Sequence, residues 1–137
     1  MYIVIGKTVI DSKELKDTIE NNTDFKVVKD MSKGTKRDDI LAFNLSVDIK
    51  ILNEIIKEEY ESEELEEDEL FDEYLSLAEE MALDLEDLIS EDTILDAKAY
   101  KWDQSDNDIK LVIVVAHEEL GDLKVRDVMK RLLTQVE

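Results

Sequence analysis

The sequence predicts an α+β fold, in which helices pack on a mostly antiparallel sheet of about four to five strands. The chain has 137 residues, no internal repeat and no Pro/Gly-rich linker, so residues 1–137 are expected to form a single domain. Stretches whose apolar residues alternate with polar ones are interspersed with stretches of helical period. One helical stretch, at about residues 69–90, is long, amphipathic and acidic.

Three stretches in the first half of the chain are expected to be strands: residues 2–5, 25–31 and 41–47. Asp11 is the expected N-cap of a first helix that ends near residues 21–22. Residues 32–35 form the predicted hairpin connection between the second and third strands. Asp48 is placed to cap a second helix. The apolar side of that helix consists of Ile49, Leu52, Ile55, Ile56 and Tyr60.

The second half of the chain predicts two strands and a last helix. The strands, at residues 93–102 and 109–116, are joined by a polar hairpin loop at residues 103–108. The last helix opens at residues 121–122 and carries bases near its end, as suits the helix dipole. Its inner face is formed by Val125, Val128, Met129, Leu132 and Val136.

Negative charge is concentrated in one part of the chain. The protein has 37 acidic and 17 basic residues and a net charge of -20, and charged residues make up 39% of it, against about 25% in typical domains. Residues 58–92, which we call the acidic segment, contain 18 of the acids and no base, and they lie between two β-rich parts. The remaining residues are nearly neutral. Because 43% of the chain is hydrophobic and the pattern is periodic, we expect a folded protein.

A helical projection separates the acidic segment into two sides from residue 70 onward, at about 100° per residue. One wide arc contains Leu70, Phe71, Tyr74, Leu75, Leu77, Ala78, Met81, Ala82, Leu85, Leu88 and Ile89, and carboxylates occupy the opposite arc. The helix is about 20 residues and about 30 Å long. Glu67 would fall on the apolar arc, so we expect a break at residues 62–68.

The like charges of this segment disfavour folding. Acids face acids at i,i+4 spacing in seven places, and each pair costs about 0.2–0.5 kcal/mol in an isolated helix. Solubility needs only about 2–8 net charges on a small domain. Along a helix the segment would carry one carboxylate per about 2.9 Å, close to the one charge per about 3.4 Å of a nucleic-acid strand.

Motifs for catalysis or metal binding are incomplete in this sequence. The chain has no cysteine, and the "IGKT" at residues 5–8 lacks the earlier glycine of a phosphate-binding loop, so a turn or hairpin at Gly6 is expected. His117, the single histidine, has no second metal ligand at the spacing of a zinc motif, and we expect it at the end of a strand. The acidic loop at residues 103–108 lacks the glycine and glutamate of a calcium loop. We therefore expect neither an enzyme nor a bound cofactor or metal, although the many carboxylates leave open loose Mg²⁺ binding and a two-carboxylate hydrolase.

Five of the 17 bases form a small group around the first hairpin, and acids are interleaved with it. Its members are Lys26, Lys29, Lys33, Lys36 and Arg37. Since the whole chain is strongly negative, direct binding of nucleic acid is not expected. The group instead offers a surface for the acidic helix of a second copy, which leaves a homodimer open. No apolar run is long enough to span a membrane and no signal sequence is evident, which favours the cytoplasm of a bacterial host or infected cell.

These observations favour an acidic inhibitor that binds another protein. In this hypothesis the acidic segment imitates nucleic-acid phosphates and blocks the basic site of a nucleic-acid-processing or host-defence protein, as a phage-encoded antagonist would. The alternatives are an immunity protein or antitoxin against a basic nuclease toxin, and a structural subunit whose acidic helix is only solvated. The predicted partner-binding residues are Glu63, Glu64, Glu66, Asp68, Glu69, Asp72, Glu73, Glu79, Glu80, Asp84, Glu86 and Asp87.

Overall fold

The computed structural model describes residues 2–5, 8–60, 66–89 and 91–136. The strands are β1 (Tyr2–Ile5), β2 (Thr8–Asp11), β3 (Lys26–Asp30), β4 (Ile40–Asp48), β5 (Thr93–Asp103) and β6 (Asp108–His117). The helices are α1 (Ser12–Asn22), α2 (Ile49–Tyr60), α3 (Glu67–Leu83) and α4 (Asp122–Val136). Short 3₁₀ helices occupy Ser32–Thr35, Asp84–Leu88 and Glu118–Leu120. This arrangement confirms the predicted α+β fold.

The main sheet has four antiparallel strands in the order β3-β4-β6-β5. Its centre is the long β4–β6 pair, in which Ile40 lies opposite Ala116 and Asp48 lies opposite Asp108. The β5–β6 hairpin closes through the polar loop that the sequence predicts. A second, two-stranded sheet pairs β1 with β2.

The sheet is covered on both faces: β4 is buried from Ile40 to Val47, whereas its alternation of apolar and polar residues predicts a strand with only one buried face. Leu41, Phe43 and Leu45 of β4 point into the larger core, which α1, α2, α3 and the β1–β2 hairpin complete. Ile40 and Ala42 point to the opposite side, into a smaller core closed by α4. We call these the α3 face and the α4 face. The acidic helix α3 and the last helix α4 therefore lie on opposite sides of the sheet, and the last turn of α4 contains no base.

The N-caps that the sequence predicts are both present. An Asp11 carboxylate oxygen accepts a bond from the Lys13 amide at 3.4 Å, at the start of α1. Asp48 accepts a bond from the Lys50 amide at 2.8 Å, at the start of α2. Each carboxylate satisfies a backbone N–H that has no partner within the helix.

The structure corrects the sequence prediction in three places. Residues 8–11 form β2, which the sequence pattern had not assigned as a strand. Residues 32–35 lie in the predicted connection between the antiparallel strands β3 and β4, but they form a 3₁₀ helix there. The long acidic helix begins at Glu67, and its last part, from Asp84 to Leu88, is 3₁₀ rather than α. Glu67 lies exposed in the first turn, because acids are favoured by the positive end of the helix dipole and the packed part begins further on. The predicted break at residues 62–68 otherwise falls mostly outside the described residues.

Among the helices in the described ranges, none is both long enough and apolar enough to cross a membrane.

Candidate protein-binding face

Helix α3 lies along β5 and β6 on the α3 face of the sheet. Its inner side is apolar and continues into the 3₁₀ turn that follows it. The side chains buried there are Tyr74, Leu77, Ala78, Ala82 and Leu85. The predicted amphipathic pattern is confirmed by this burial, and it turns the carboxylates of the other side toward solvent.

Nine of the twelve predicted binding residues form one surface, which we call the acidic face. Glu73 is half-buried and the other eight are exposed. The members are Glu66, Asp68, Glu69, Asp72, Glu73, Glu80, Asp84, Glu86 and Asp87. The predicted residues Glu63 and Glu64 lie outside the described part of the chain.

Glu79 differs from these residues because it is engaged within the fold. Its Oε1 atom accepts a hydrogen bond from the backbone N–H of Ala99 in β5 at 2.9 Å. The same atom lies 3.9 Å from the Lys98 ammonium group. Since β5 is an edge strand, this contact satisfies an amide that has no strand partner. We therefore leave Glu79 out of the acidic face.

No base within the described residues forms an ion pair with the acidic face. Within the described residues, the Lys98–Glu79 contact is the only ion pair that involves residues 66–88. The bases of α4 are across the sheet, where Arg131 donates to the Thr35 carbonyl at 2.9 Å and Arg126 lies near Asp96. The face therefore presents its full negative charge to solvent or to a partner.

An aromatic cluster that the sequence analysis missed flanks the first half of α3. The Trp102 ring stacks on Phe71 at a centroid distance of 6.4 Å and meets Tyr74 edge-on at 5.1 Å. The Tyr74 hydroxyl donates to the Asn53 side chain of α2, and burial raises the pKa of that hydroxyl. A bulge between Ala99 and Lys101 turns Trp102 toward α3, so simple strand alternation could not predict the cluster.

A small cleft adjoins the other end of the acidic face. It lies where α1 ends against the last turns of α3 and the following 3₁₀ helix, and its volume is ≈ 290 Å³. Phe25, Met81, Leu85 and Leu88 supply its apolar lining. Asp84 and Asp87 belong both to this cleft and to the acidic face. No local sequence signal identifies such a cleft, because it joins residues that are distant in the chain.

The single histidine has a structural contact. His117 Nδ1 accepts a hydrogen bond from the Glu119 amide at 3.0 Å, where β6 passes into a 3₁₀ turn. This agrees with the predicted strand-end position, and it engages one of the two ring nitrogens.

The ammonium group of Lys110 in β6 lies against the carboxylates of the acidic hairpin loop. Asp103, Asp106 and Asp108 bring carboxylate oxygens within 4.8 Å of one another. The Lys110 ammonium group lies 3.1 Å from Asp106 and 2.8 Å from Asp108. Asp103 Oδ1 also accepts bonds from the amides of Ser105 and Asp106, which lower the pKa of Asp103. These bonds match the polar hairpin that the sequence predicts.

The small basic group lies away from the acidic face. Lys26 and Lys29 are paired with Ser46 and Asn44, residues on the α4 side of the sheet. Arg37 is held by Asp39 through two bonds of 2.8 and 2.9 Å. The group and its interleaved acids thus form a mixed-charge surface.

Comparison of the chain with protein-family models, with curated proteins and with solved structures found no match.

Proposed function

We propose that this protein binds a basic surface of another protein through its acidic face and blocks that surface by imitating nucleic-acid phosphates. The observation that carries the proposal is the row of carboxylates along α3 that no base of the described chain neutralises. From Glu69 to Asp87 the row spans about 30 Å. Clefts that hold DNA or RNA present opposite charge over such lengths, so the two surfaces would attract each other.

The rigidity of the face supports the same proposal. The helix is fixed by its buried side, by the Tyr74–Asn53 bond and by the Glu79–Ala99 bond, so the backbone positions that carry its carboxylates are set before a partner arrives. A prearranged charged surface loses less conformational freedom on binding than a flexible acidic tail would. The partner class that fits is a nucleic-acid-processing or host-defence protein, or a basic nuclease toxin.

The test is neutralisation of the acidic face. In one variant six of its residues are changed to the corresponding amides: Glu69, Asp72, Glu73, Glu80, Asp84 and Asp87. A control variant changes six exposed acids outside the acidic segment in the same way: Asp17, Asp38, Glu54, Glu118, Glu119 and Asp127. The two variants have equal net charge, so they separate the position of the charge from its amount.

We expect the first variant to keep its fold and to bind a captured partner at least about tenfold more slowly, whereas the control stays near the wild type. DNA or RNA should displace the wild-type protein from the partner. Association rates, melting curves and nucleic-acid competition measure these effects. A folded first variant that binds at the normal rate, with no competition from nucleic acid, would contradict the proposal.

A second function, that of a structural subunit, is favoured by the β1–β2 hairpin. Its outer side exposes Tyr2 at 69%, Val4 at 64% and Val9 at 61%, whereas Ile3 and Ile5 fill the core. A partner bound there would be held by apolar contact and would resist elution by salt. A partner bound at the acidic face would be released as the salt concentration rises.

A further inference from the structure

The cleft at the end of the acidic face brings together two helix ends that lack basic residues. The last turn of α1 contains no base, and neither the last turn of α3 nor that of the following 3₁₀ helix contains one. The C-terminal end of a helix carries partial negative charge, and lysine or arginine commonly balances it. Here no base lines the cleft.

Carboxylates add to this negative potential. Asp24 lies just beyond α1, and Asp84 and Asp87 lie on the 3₁₀ turn opposite. All three are exposed at the rim. The rim is therefore complementary to a cation, and it receives none from the described chain.

The floor of the cleft is apolar. Phe25 and Leu85 are buried beneath it, Met81 is half-buried, and Leu88 remains 37% exposed. A volume of ≈ 290 Å³ is at the lower limit of small-molecule sites, which occupy about 300–1,000 Å³. A space of this size suits one or two side chains of a protein segment.

We propose that this cleft receives a segment of the partner protein in which lysine or arginine flanks a large apolar residue. The inference rests on the proposed function and makes it more specific. The apolar side chain fills the space above Leu85 and Leu88, and its basic neighbours approach the two helix ends and the three aspartates. Binding energy in interfaces concentrates where a side chain enters a desolvated pocket, while rim charges mainly speed association. The cleft thus sets specificity, and the acidic face guides the approach.

The test uses two short synthetic peptides of equal length and equal positive charge, in which lysine alternates with leucine in one and with serine in the other. Leu88→Asp is compared with Leu83→Asp, which removes a leucine of the same helical stretch that is 45% exposed and does not line the cleft. Both variants add one negative charge. Leu88→Ala is made in parallel as a milder change, and melting curves confirm that each variant is folded.

We expect the leucine peptide to bind the wild-type protein about tenfold or more tightly than the serine peptide, with NMR shifts at Met81 and Leu88. Leu88→Asp and Leu88→Ala should reduce this preference, and Leu83→Asp should retain it. If both peptides bind equally, the cleft is not the docking point, although attraction by the acidic face stands. If neither peptide binds even at low salt, the proposed function itself is contradicted along with the inference.

Discussion

At the scale of single residues, the carboxyl groups of Asp96 and Asp39 are affected in opposite ways by the fold. Burial raises the pKa of Asp96 above its usual value, although the Ala97 amide and nearby Arg126 act against the rise. The hydrogen bond from Arg37 lowers the pKa of Asp39. An ionised Asp96 therefore disfavours the folded state, whereas an ionised Asp39 favours it.

We predict that Asp96→Asn stabilises the protein at neutral pH. The wild type loses stability as the pH rises through the raised folded-state pKa of Asp96, because the folded protein holds that proton more firmly than the unfolded chain does. The asparagine variant avoids this loss. Its advantage should disappear below the usual pKa of 3.8, where both states of the wild type are protonated. Denaturant unfolding across this pH range measures the difference.

For Asp39→Asn we predict the opposite effect on stability at neutral pH. The Asp39 contribution is present above 3.8 and is lost as the pH falls through the lowered folded-state pKa, so the variant should be less stable than the wild type at neutral pH only. If both substitutions destabilise the protein at neutral pH, burial is not the dominant influence on Asp96, and if both stabilise it, the Arg37 bond does not favour the folded state.

At the scale of elements, two helices protect the two edges of the main sheet. Glu79 of α3 accepts a bond from the Ala99 amide on β5, and Glu20 of α1 accepts one from the Val27 amide on β3, at 3.2 Å. An edge strand with free amides is a template for pairing with another chain. These carboxylates occupy such amides and also fix each helix along its strand.

We predict that Glu79→Ala and Glu80→Ala have opposite effects, although the residues are neighbours. Glu79→Ala should lower the free energy of unfolding by about 1 kcal/mol or more, since a hydrogen bond to a charged acceptor is lost. Glu80→Ala should be neutral or stabilising by about 0.2–0.5 kcal/mol, because it removes the repulsion from Asp84. Urea midpoints measure both. Equal destabilisation by the two changes would show that the Ala99 contact contributes nothing particular.

At the scale of the whole molecule, the sheet separates the charges. The acidic face lies on one side, while α4 and the strand lysines that pair with Asn44 and Ser46 lie on the other. These lysines are Lys26 and Lys29, whereas Lys98 contacts Glu79 of α3, which is not part of the acidic face. Because the bases of the described residues form no ion pair with the acidic face, repulsion between its carboxylates is relieved mainly by ions from the solution.

We therefore predict that salt stabilises the protein. The melting temperature should rise from low to moderate NaCl as the Debye length falls to about 10 Å at 0.1 M, and Mg²⁺ should be more effective at equal ionic strength. The variant with six amides on the acidic face should show a weaker dependence. A wild-type melting temperature that stays flat or falls with salt would mean that bases of the fold already neutralise the face.

The sequence by itself determined the features that follow from local geometry. Alternation predicted the strand at Leu41–Val47, a carboxylate before each helix predicted the caps at Asp11 and Asp48, and helical period predicted the buried side of α3. The exposure of most of the predicted binding residues follows from the same period, since burying one side of a helix leaves the other in solvent.

The tertiary structure alone decided the features that depend on which distant segments meet. The bulge in β5 brought Trp102 to Phe71, the position of the edge strand engaged Glu79, and the approach of α1 to the end of α3 formed the cleft above Leu85. Opposite placement of α3 and α4 on the sheet kept the bases of α4 away from the acidic face. Periodicity shows which side of an element is buried, but not what packs against it, because that depends on how the whole chain fills its core.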